Sequence, residues 1–91
     1  MIVENLKNLA CKHFKVTRQQ IDGSGRKMEV VYARIAISKI LHENGFKIIE
    51  IATILNMNHS TITHYISTFS DRIKYDVIFA NTFNDFKKEC E

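Results

Sequence analysis

Between Asn58 and His64 the chain sets Asn58, His59, Ser60, Thr61, Thr63 and His64 in close succession, interrupted only by Ile62. These are short hydrogen-bonding side chains without fixed charge. They can donate to and accept from base edges, and a threonine methyl can meet a thymine methyl, so the cluster suits the reading of a DNA major groove. The same residue types are also common at a solvated helix start, where they bind free backbone groups.

The remaining chemically capable residues offer less. His13, His42, His59 and His64 stand in no evident nucleophile–base–orienter set. His59 and His64 are five positions apart, which on a helix turns them about 140° from one another and away from a shared metal. Cys11 and His13 are close, but no second pair follows at metal-ligand spacing, so no zinc site is expected. Cys11 and Cys90 read as free thiols of a reducing compartment. No Gly-rich loop ending in Lys-Ser or Lys-Thr occurs, so no nucleotide-binding loop is expected. The expectation is a non-enzymatic protein without metal, cofactor or small-molecule substrate.

The elements that must position the cluster are helical, because apolar residues recur at three- and four-residue steps and never alternate over a sustained run. A first helix is expected from Ile2 to His13, on Ile2, Leu6, Leu9 and Ala10. Thr17 with Gln20 forms a weak capping box and predicts a short helical turn. Gly23-Ser24-Gly25-Arg26-Lys27 is expected to be a flexible basic loop. A central core helix follows over Lys27 to Asn44, with Val30, Ala33, Ile37, Ile40 and Leu41 on one stripe and Val31 and Ile35 widening it. Gly45 is placed to end it in a left-handed conformation.

Ile48, Ile51, Ala52 and Leu55 predict a short helix, broken at Asn56-Met57. Asn58 is expected to N-cap the next one, its side chain accepting from the following turn. That helix carries Ile62, Tyr65, Ile66, Phe69 and Ile73 on one face and Ser60, His64, Ser67 and Asp71 on the other. Asp76 predicts a final N-cap, before Phe79, Ala80, Phe83 and Phe86 on a helix whose aromatic stripe reads as core. Helix, turn and helix over residues 50–66 match a helix-turn-helix, with small Ala52 permitting close approach and Met57 filling the gap. The N-terminal residues of the second helix in such a motif contact bases.

Ninety-one residues imply one domain, 1–91, of ordinary globular balance: 45% hydrophobic and 25% charged. A net charge of +3 favours an anionic partner only mildly. The N-terminus lacks a signal-peptide pattern, and no apolar run approaches the roughly 18 residues of a membrane span. A soluble, cytoplasmic protein with no membrane partner is expected.

The chain resembles the C-terminal, origin-binding domain of bacterial replication initiators of the DnaA family. The resemblance runs from His13-Phe14-Lys15-Val16-Thr17 to about Phe86 and is strongest over Val30 to Ile37, Leu41 to Ile51 and Asn58 to His64. The last stretch is similar to the family's Asp-His-Thr-Thr-Val-Leu-His signature. The turn before it is one residue shorter than the family's Gly-Gly-Arg-Asp and lacks the arginine. Asn58 stands for the signature acid, and Ile49 for a usual proline. The resemblance implies base contacts from Asn58, His59, Ser60 and Thr61, a phosphate-side position for His64, and a basic loop, here Arg26 and Lys27, entering the minor groove. With Lys47 and Thr63 added, the expected DNA-binding residues are Arg26, Lys27, Lys47, Asn58, His59, Ser60, Thr61, Thr63 and His64.

The fold expected is all-α, about five helices containing a helix-turn-helix. The function expected is sequence-specific binding of double-stranded DNA in origin recognition or its regulation, with a replication initiator or other replication proteins as further partners. Two alternatives stand beside it. One is a protein-interaction module or inhibitor acting on an initiator, hinted at by Phe79, Phe83 and Phe86 if partly exposed. The other is a transcriptional regulator.

Overall fold

A computed structural model describes residues 3–91. They form six helices and no strand: α1 Val3–Phe14, α2 Arg18–Asp22, α3 Met28–Glu43, α4 Ile48–Leu55, α5 His59–Tyr75 and α6 Val77–Cys90. The all-α expectation holds. The number exceeds five because the turn after Thr17 is a helix in its own right. Its capping box is complete: Gln20 N–H donates to Thr17 Oγ1 at 3.0 Å, and Thr17 N–H donates to Gln20 Oε1 at 2.9 Å. Ile2, the expected first apolar position of α1, lies outside the described residues.

α3 is the centre, packed against each of the other five helices. Its sequence requires this, since a helix with apolar side chains on nearly every face cannot be satisfied by one neighbour. Val30, Ala33, Ile35, Ala36, Ile37, Ile40 and Leu41 are all buried. α6 packs against α1, α5 and α3. Phe79, Phe83 and Phe86 are buried there, and the Phe79 ring lies within about 6 Å of Phe14, Tyr32, Phe69 and Phe83. The aromatic stripe of α6 is therefore core, as its spacing implies, and offers no docking surface.

α3 and α4 end by the same device. Gly45 has φ +89°, and Gly45 and Phe46 N–H donate back to His42 and Leu41 carbonyls. Asn56 has φ +55°, and Asn56 and Met57 N–H donate to Thr53 and Ala52 carbonyls. In both, a residue able to enter the left-handed region satisfies carbonyls that the helix end leaves open. Tight termination of α4 leaves only residues 56–58 before α5 begins.

Lys7 is a buried charge that the sequence did not signal. Lys7 on α1 donates to Asp22 Oδ1 at 2.7 Å and to the Ile54 carbonyl at 2.8 Å, tying α1 to α2 and α4. A buried ammonium is tolerated only when so partnered.

Candidate nucleic-acid interface

α4 and α5 pack through Ile51, Leu55 and Ile62, all fully buried, with Ile66 and Met57 partly buried beside them. Ala52 is buried in the same region of α4. The Tyr65 hydroxyl approaches the Met57 sulfur at 4.0 Å, a weak contact between α5 and the turn. This core holds the first turn of α5 out into solvent, where Asn58, His59, Ser60, Thr63 and His64 are exposed and Thr61 is half-buried.

Asn58 takes the N-cap position, with extended backbone at φ −70° and ψ 143°, but its side chain makes no capping bond. That part of the expectation fails. The Asn58 carbonyl instead accepts from Thr61 and Ile62 N–H, and its amide group is left free to face outward. Thr63 Oγ1 donates to the His59 carbonyl at 3.0 Å, so its hydroxyl already has an acceptor along the helix.

An open groove of about 840 Å³ runs between the loop after α2 and the α4–α5 turn. Ser24 and Arg26 form one wall. Ile49, Thr53 and Asn56 of α4 and its end, with Asn58, His59 and Thr61 at the start of α5, form the other. Among the described residues, no carboxylate lines it. The structure thus brings together Arg26, Asn58, His59 and Thr61 of the expected residues. Ser60, Thr63 and His64 are exposed on α5 but do not line the groove. Lys27 faces a separate, smaller hollow with Gln19, Gln20 and Val30. Lys47 is exposed at the N-cap of α4, its N–H donating to Glu50 Oε1 at 2.8 Å.

The loop carrying Arg26 is not slack, contrary to the expectation from its glycines. Arg34 of α3 is 2% exposed and reaches beneath it. Its Nε donates to the Ile21 carbonyl at 3.1 Å, its Nη2 to Gln20 at 2.9 Å and Gly23 at 2.7 Å, and its Nη1 to Gly25 at 2.7 Å. The planar guanidinium suits this task because its donors are fixed in a fork. Sequence reasoning missed Arg34. The available signal was its register, since Val30, Arg34, Ile37 and Leu41 follow one helical face, so an arginine there must find buried acceptors. Ser24, Ile49, Thr53 and Asn56 were also missed, because only the folded chain carries them to the groove.

No protein-family model matches the chain. The chain is similar to part of a chromosomal replication initiator. The relative is the chromosomal replication initiator protein DnaA of Thermomicrobium roseum, 31% identical over 68 residues. The match covers 72% of this chain and 15% of that protein, so the chain spans about a seventh of its relative's length. Among the described residues, no helix is long and apolar enough to cross a membrane.

Proposed function

We propose that this chain binds duplex DNA, placing the first turns of α5 in the major groove and the Arg26 loop on the flanking backbone, as a helix-turn-helix module of replication control. The observation that carries the reading is the groove that sets Arg26 opposite Asn58, His59 and Thr61, with no carboxylate in its lining among the described residues. Uncharged hydrogen-bonding groups discriminate base edges, whereas a cation beside them positions the duplex without reading it. The similarity to a replication initiator supports the biological setting. The chain acts by binding and not by catalysis, and works in the cytoplasm, where it meets origin DNA or other replication proteins.

Selection from a random duplex pool, followed by fluorescence anisotropy at two salt concentrations, tests this. The expected result is an enriched sequence and a log–log salt slope of about −0.9 for each of roughly 3–6 phosphates. Absence of duplex binding would refute it. The apolar residues Tyr75, Val77 and Ile78, exposed where α5 meets α6, would then direct the search to a protein partner.

A further inference from the structure

We propose that Arg34 shapes the loop after α2 into a phosphate-binding cradle, in which the backbone N–H groups of Ser24 and Arg26 take a DNA phosphate. The inference rests on the duplex-binding reading.

In a trans peptide the carbonyl of one residue and the N–H of the next point in opposite directions. Arg34 draws the carbonyls of Gly23 and Gly25 inward, each at 2.7 Å. The N–H groups of Ser24 and Arg26 therefore turn away from the guanidinium, and both residues, like Arg34 itself, belong to the lining of the groove. Among the described residues neither amide has a hydrogen-bond partner, and both residues are exposed. Extended backbone such as that of Gly23 sends alternate carbonyls to one side, and a Cβ at Gly23 would meet the Gln19 carbonyl at 3.0 Å, so glycine lets the loop pack this closely. The charge adds to this. Arg34 is held by four backbone carbonyls and, among the described residues, has no carboxylate partner, so the loop keeps a net positive charge at its base. Backbone donors oriented over a fixed positive charge make an anion site.

Arg34 touches no DNA in this scheme and is a positioning residue. The test is a heteronuclear NMR titration of the chain with its selected duplex, combined with salt-dependent affinities for wild type, Arg34→Lys, Arg26→Ala and the double variant. In the wild type, the Ser24 and Arg26 amide resonances should shift on saturation. Arg34→Lys keeps the charge but loses the fork. It should weaken selected and random duplexes alike by about tenfold and lower the salt slope by about one. Arg26→Ala should add little in that background, because the loop is already displaced. Additive effects in a folded Arg34→Lys variant would overturn the proposal. Should that variant not fold, the wild-type titration decides. A shifting His59 amide with silent Ser24 and Arg26 amides overturns the cradle and leaves DNA binding intact. No shift at any site, with no measurable affinity, overturns both.

Discussion

Replacing Asn58 with alanine separates helix capping from DNA reading at a residue whose type suits both. An asparagine N-cap that bonds the helix start is worth about 1 kcal/mol, and its loss would lower the melting temperature of a domain this size by about 4–8 °C. Here the Asn58 side chain makes no capping bond and lines the groove. The stability loss should therefore be a few tenths of a kcal/mol, about 2 °C or less. A lost base contact costs about 1–3 kcal/mol on the selected site, about 5- to 150-fold in affinity, and almost nothing on random duplex. Thr17→Ala is the internal control. Thr17 does cap, so this variant should melt earlier while leaving the ratio of specific to random affinity unchanged. Thermal melts and anisotropy on both duplexes measure the stability and the two affinities of each variant. A fall of about 5 °C for Asn58→Ala with equal loss on both duplexes would show that Asn58 is a cap and that the bases are read elsewhere.

Three further outcomes are expected. Arg26→Ala should reduce the salt slope by about one phosphate, whereas Lys27→Ala should leave it nearly unchanged, since Lys27 lies outside the groove; equal effects in a salt titration would misplace the DNA. Phe79→Ala should cost about 3–5 kcal/mol in denaturant unfolding, because the ring is fully buried; a loss below about 1 kcal/mol would mean that α6 docks loosely. Stability should also fall in acid. The Tyr32 hydroxyl, then the Phe79 N–H, hold the Asp76 carboxyl below its ordinary range, and Lys12 with His13 does the same for Glu89. A depressed folded pKa gives stability that is complete above the unfolded value of about 4 and lost as pH falls through the folded one. Asp76→Asn should flatten that acid decline in a series of melts, and an unaltered profile would exclude Asp76 as its source.

The helical architecture was legible from local chemistry. Periodicity placed α1, α3, α4, α5 and α6, and Thr17, Gly45 and Asp76 marked boundaries where the structure has caps. This works because the apolar face of a helix and the groups at its ends are set within a few residues of chain. The cluster at the start of α5 was visible for the same reason. The groove depends on tertiary structure. Its walls come from segments about thirty residues apart, and no local rule brings Arg26 to Asn58. Nor could composition show that the Gly23–Lys27 loop is held. Two glycines predict freedom, but Arg34 lies in α3 and acts through the carbonyls of a different segment. The capping state of Asn58 was also decided by tertiary structure, for residue type allows the bond and the folded conformation leaves it unmade. Sequence alone determined which side chains are available, and packing around α3 determined which of them face the same groove.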